Sequence, residues 1–143
     1  MRSFGSRFTA LSVALGAALS LCSPSARAST SLALAAGAQI RVRPTSGPGG
    51  TAVRIRGGGF GQVCPIVDIY FTDAAWTTTK LGTTHVAPDG TLQSTVAIPD
   101  GAARGAGTVS ADQWWWNPRL WQCLPHGFGG PSAAFTVTER GES

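Results

Sequence analysis

Beyond residue 38, apolar and polar positions alternate with period two, the mark of strands that bury one face. Ile40 and Val42 alternate with Arg41 and Arg43, and Val53 and Ile55 alternate with Arg54 and Arg56. Between them, Ser46-Gly47-Pro48-Gly49-Gly50 carries a turn signal. A glycine cluster around Phe60 breaks the second strand. Val67, Ile69 and Phe71 then alternate with Asp68 and Tyr70, and the Thr-rich stretch 77–86 suits one or two short edge strands. Pro88-Asp89-Gly90 is a turn by mechanism, because Pro presets φ and Gly accepts a positive one. Leu92, Val96 and Ile98 mark the next strand, which Pro99-Asp100-Gly101 stops. Val109 and Ala111 begin another, and Phe135 and Val137 form the last. No helical period persists for three turns. About seven strands, each with one apolar face, predict an all-β sandwich; a closed barrel is the alternative. The expected core is Ile40, Val42, Val53, Ile55, Val67, Ile69, Phe71, Leu92, Val96, Ile98, Val109, Phe135 and Val137.

The N-terminal stretch has a different pattern. Arg2 and Arg7 precede an apolar run over residues 8–21, and Ala26-Arg27-Ala28 follows. A cationic lead, a short apolar run and an Ala-x-Ala end predict a secretory signal peptide over 1–28, cleaved after Ala28. The run is shorter than the roughly 20 residues that span a bilayer. Lipid attachment at Cys22 calls for a small residue before it, and Leu21 stands there. No adjacent arginine pair is present, which favours the general export route. Residues 29–38 read as a flexible Ala-rich leader, 39–138 as one domain and 139–143 as a tail.

Export changes the charge. The 143 residues hold 11 Lys+Arg and 7 Asp+Glu. The signal takes Arg2, Arg7 and Arg27 and no acid, so residues 29–143 keep 8 basic residues against 7 acidic, a net of +1. No basic excess remains to predict nucleic-acid binding. Cys64 and Cys123 are the two cysteines left in an oxidising compartment, and they are expected to pair. Such a bridge stabilises a fold by roughly 4 kcal/mol in the chain-entropy account. A metal site would need more ligands than His85 and His126 add, so no metal and no cofactor is expected.

Catalytic signals are missing. There is no Gly-x-Ser-x-Gly elbow, and neither histidine sits in a recognisable motif. Asp68 and Asp112 can approach each other in a sandwich, but carboxylates meet by chance more often than as a glycosidase pair. The glycines over 57–61 lack the Lys and Ser/Thr of a phosphate loop. The chain is therefore expected not to be an enzyme. Two constellations remain. Arg41, Arg43, Arg54 and Arg56 share one parity and should all point outward, either as a plain solvated face or as a contact for an anionic surface. Trp114-Trp115-Trp116-Asn117-Pro118-Arg119-Leu120-Trp121 contains an Asn-Pro turn signal and should form a hairpin. Parity carried on from Val109 and Ala111 puts Trp115 inward and Trp114 and Trp116 outward. The rings either pack on each other and shield the disulfide or stay open as a binding surface.

Ile40-Arg41-Val42-Arg43-Pro44, Gly47-Pro48-Gly49-Gly50-Thr51 and Val53-Arg54-Ile55-Arg56-Gly57-Gly58-Gly59-Phe60 resemble the opening of IPT/TIG domains. Those immunoglobulin-like modules occur in bacterial surface proteins, plexins and transcription factors, and mostly bind proteins or link domains. The resemblance implies an immunoglobulin-like β-sandwich. The cysteine pair and the Trp-rich stretch depart from the family's pattern. Small secreted chromophore carriers of the neocarzinostatin type are similar more distantly. In an immunoglobulin-like topology Cys64 and Cys123 meet at one pole, beside the Trp hairpin, with Trp76 at the other. The expected function is then a secreted or cell-surface binding or adhesion module. Its site is Trp114, Trp116, Trp121 and Arg119, its ligand a glycan or protein, and the arginine face is the second candidate. A structural envelope or assembly protein, or a carrier of a small apolar ligand, is the alternative.

Overall fold

A computed structural model describes residues 37–127 and 129–141. The expected signal peptide, Cys22, leader residues 29–36 and the last two residues of the tail lie outside the described residues. Among the described residues no helix is long and apolar enough to cross a membrane.

The described chain is all-β. Ten strands form: β1 (Gln39–Arg43), β2 (Ser46–Gly47), β3 (Ala52–Gly58), β4 (Ile66–Thr72), β5 (Thr78–His85), β6 (Leu92–Ala97), β7 (Gly105–Gln113), β8 (Trp115–Asn117), β9 (Gln122–Leu124) and β10 (Ser132–Val137). They make a three-stranded sheet β1-β3-β6, a five-stranded sheet β2-β10-β7-β4-β5 and a separate ribbon β8-β9. Inward residues from both larger sheets join one hydrophobic cluster. All thirteen expected core residues are buried in it, joined by Phe60, Val86 and Ala111. Phe71 and Phe135 meet edge to face at its centre, with ring centroids 6.1 Å apart, a favoured aromatic geometry.

The strand count differs from the expected seven for local reasons. The glycine turn after β1 touches β10 for two residues and becomes β2, running parallel to it. The Thr-rich stretch is one strand, not two, and it carries a bulge. Ile69 faces Gly82 while the next residue, Tyr70, faces Lys80, so Leu81 is the extra residue. A bulge shifts side-chain parity by one. Lys80 and Thr83, three positions apart, therefore reach the same face of the sheet, where Asp68 lies. The expected hairpin exists, but as the ribbon β8-β9, hydrogen-bonded to neither larger sheet. β7 ends beside the start of β4, with Gln113 opposite Val67. This antiparallel pairing brings residue 64 and the β7–β10 connection to the same end of the molecule.

Candidate functional site

That end is held by a covalent bond and by four hydrogen bonds to two side chains. Cys64 and Cys123 form a disulfide with Cα atoms 5.7 Å apart. It joins the residues just before β4 to the middle of β9, where Cys123 stands opposite Trp116. The Gln113 side chain staples the loop before β4. Its Nε2 donates to the carbonyls of Gly61 (2.6 Å) and Cys64 (2.9 Å), and its Oε1 accepts from the Gly61 N–H (3.0 Å). Gly130 and Pro131, which lead into β10, lie against β7. The Gly130 N–H donates to Asp112 Oδ1 at 2.8 Å. A Cβ on Gly130 would stand 2.0 Å from the Ala111 carbonyl oxygen, so no other residue fits there without the loop moving.

Trp114 is where the parity expectation fails. The chain leaves the sheet after Gln113, and Trp114 belongs to no strand. Its backbone N–H donates to the Ile66 carbonyl at 2.8 Å. Its indole Nε1 donates to Asp68 Oδ2 at 2.9 Å. Trp114 is therefore half-buried over β4, not an open outward ring, and Trp115 is exposed where it was expected inward. Asp68 is buried and completes its shell with the Thr83 hydroxyl (2.7 Å) and the Lys80 ammonium (3.0 Å), both on Oδ1. Burial pushes its carboxyl up. The bonds from Thr83, Lys80 and Trp114, with the Lys80 charge, outweigh that and hold it below the usual range.

Beyond Trp114 the ribbon projects. Trp116 and Trp121 meet nearly perpendicular, 6.0 Å between centroids and 82° between planes. Trp115 lies on the opposite face of the ribbon, across from Leu124. Asn117 builds the turn, its Oδ1 accepting from the Arg119 and Leu120 backbone N–H groups at 2.9 and 3.2 Å. Trp121 is 80% exposed and sits at φ 53°, a left-handed backbone that is a genuine outlier for a bulky side chain. Leu120 is exposed beside it, and Val63, 74% exposed, lines one shallow depression with Cys64 and Trp116. Arg119 is exposed at the ribbon tip. Of the expected pole residues, Trp116, Trp121 and Arg119 thus stand on the ribbon, and Trp114 instead anchors its base. Trp115, Leu120 and Val63 were missed. For Trp115 the only signal lay in where β7 stops.

At the opposite end, Trp76 is 86% exposed at φ 64°. Asp73 shapes its loop. Oδ1 accepts from the N–H groups of Ala75 (2.9 Å) and Thr77 (3.0 Å), and Oδ2 from that of Ala103 (3.0 Å). The bond from Ala103, then those from Thr77 and Ala75, hold the Asp73 carboxyl below its usual range against the upward push of partial burial.

The four arginines lie as expected, exposed on the outer face of β1 and β3. Arg41 faces Arg56 and Arg43 faces Arg54 across the strand pair. Asp68 and Asp112 are register partners on β4 and β7, but each is buried and already accepts donors from the chain. His85 and His126 are exposed, and among the described residues no three His, Cys, Asp or Glu side chains converge as metal ligands. In comparisons with known proteins, no family model matches the chain and no curated protein matches it significantly.

Proposed function

We propose that the chain is a secreted, non-catalytic binding module of immunoglobulin-like sandwich architecture, similar to IPT/TIG domains, that grips a protein partner through the ribbon β8-β9. The observation that carries this reading is the ribbon itself. It exposes Trp115 on one face and Trp116 with Trp121 on the other, with Leu120 at its tip, and the disulfide clamps the middle of its second strand. Such a surface is costly to leave in water, and exposed apolar clusters of this kind mark interaction sites. Aromatic rings on a fixed backbone give large contact area at low ordering cost. Rings on both faces suit a partner cleft that closes around the ribbon. A sugar chain would be better served by a flat platform with polar side chains for its hydroxyls. Here the Trp116 and Trp121 rings stand perpendicular, Val63 and Leu120 are aliphatic, and Asn117 Oδ1 is engaged in the turn.

The test is capture of a partner from the envelope and culture fluid of the producing organism, beside a glycan array. Trp116→Ala/Trp121→Ala should abolish protein capture and leave the melting temperature nearly unchanged. A double variant that unfolds would make the rings part of the core, and one that folds and still binds would place the site elsewhere. Array binding lost in the same variant would exchange the protein for a glycan.

A further inference from the structure

The outer face of the sheet β1-β3-β6 concentrates positive charge. Cross-strand register sets Arg41 directly opposite Arg56 and Arg43 directly opposite Arg54. Like charges directly opposite destabilise a strand pair, and here two such pairs lie side by side. No acid answers them: β1, β3 and β6 contain no Asp or Glu. Of the four other described cations, all but Arg119 are matched. Lys80 pairs with Asp68, Arg104 with Glu139 and Arg140 with Asp100. Among the described residues none of the four arginines has a carboxylate partner. With Pro44, Ala52 and Thr95 they line one open groove. A net charge near zero in the exported chain hides this segregation.

We propose that this groove binds a linear polyanion of the polyol-phosphate class, a chain of phosphodiesters linked through three-carbon polyols, lying along β1 and β3. Guanidinium forks match phosphate geometry and stay charged at every working pH. Spacing selects the polymer. Two strand residues contain six chain bonds and rise about 6.8 Å. A three-carbon polyol phosphodiester also has six chain bonds per repeat, so successive phosphates fall in step with Arg41 and Arg43 on one side and Arg56 and Arg54 on the other. Single-stranded nucleic acid has the same backbone count, but its binders stack bases on aromatic rings. This groove is lined by Arg, Pro, Ala and Thr alone. Nor does it carry the large apolar anchors that a membrane-surface site inserts.

The probe is synthetic, unacylated poly(glycerol phosphate), with oligothymidylate and phosphatidylglycerol vesicles as the other arms. Two phosphates, each held between a facing pair of arginines, predict at the single-strand slope that affinity falls about sevenfold between 50 and 200 mM salt. Arg54→Gln/Arg56→Gln takes one guanidinium from each phosphate and should weaken binding several-fold and flatten the salt dependence, and glutamine at all four positions should remove binding while the melting temperature holds or rises. Lysine at all four positions should keep the salt dependence and weaken binding several-fold, because the fork is lost and the charge is not. Trp116→Ala/Trp121→Ala should leave polymer binding unchanged, which separates this site from the ribbon. The proposal is overturned if the polymer does not bind, if the four-glutamine variant binds it as the parent does, or if oligothymidylate or vesicles bind more tightly than the polymer.

Discussion

The two ends of the molecule display the same thing by different means. Each presents a highly exposed tryptophan on left-handed backbone, Trp76 at φ 64° and Trp121 at φ 53°. Non-glycine residues hold that conformation only where their surroundings over-determine it. At the Trp121 end the constraint is covalent, with the Cys64–Cys123 bond in the middle of β9 and Asn117 in the turn. At the Trp76 end it is one carboxylate, Asp73, gathering three backbone N–H groups. A disulfide answers to redox potential and a carboxylate to pH. The two displays should therefore fail under different conditions.

The largest effect belongs to the bond. Cys64→Ser/Cys123→Ser should cost about 4 kcal/mol in denaturant melts, since the bridge closes 59 residues of chain. Amide exchange should quicken at β8-β9 and stay unchanged at the Trp76 loop; equal loosening of both ends would merge them into one unit. Next comes Asp68→Ala, expected to cost about 1–3 kcal/mol by stranding the donors of Trp114 and Thr83. It should disturb Trp114 fluorescence while sparing Trp76.

Acid should act on the other end. The Asp73 carboxyl is lowered in the folded state, so its contribution is complete above its ordinary value of about 3.9 and is lost as pH falls through the lowered folded value. Exchange in the Trp76 loop should rise there, and Asp73→Asn should show the loosened loop already at neutral pH. An acid limb identical in both proteins would remove Asp73 from the account. The smallest change is expected from Trp76→Gly and Trp121→Gly. Glycine accepts both φ values freely but adds unfolded-chain entropy, so stability should move by less than about 1 kcal/mol. Under the proposed function only Trp121→Gly should weaken partner capture.

Sequence pattern carried the regular part of this molecule and stopped where regularity stopped. Ile40, Val53, Val67 and Phe135 are buried because strict alternation has one physical solution, an apolar face turned inward. The cysteine pair followed from the expected export and the expected topology. Parity could not be carried past Gln113, because the chain leaves β7 there and the ribbon's register is set instead by the disulfide and the Asn117 turn. The bulge at Leu81 left no trace in a Thr-rich strand whose alternation is weak, so the Lys80–Asp68 pair and the Trp114 anchor behind it were invisible too. Asp73 lay in the same blind spot, since a carboxylate that organises a loop looks in sequence like any turn aspartate.

The short parallel contact between β2 and β10 has a mechanical meaning. The Thr136 N–H donates to the Thr45 carbonyl and the Thr138 N–H to the Gly47 carbonyl, both at 2.9 Å. Because the two strands run the same way, tension applied through β1 and β10 in opposite directions would drag one strand lengthwise past the other. Both bonds would then carry the load together instead of opening in turn like a zipper. A module tethered on one side and pulled on the other would resist at this clasp first, and a proline in place of Thr136 would remove one of its two rivets.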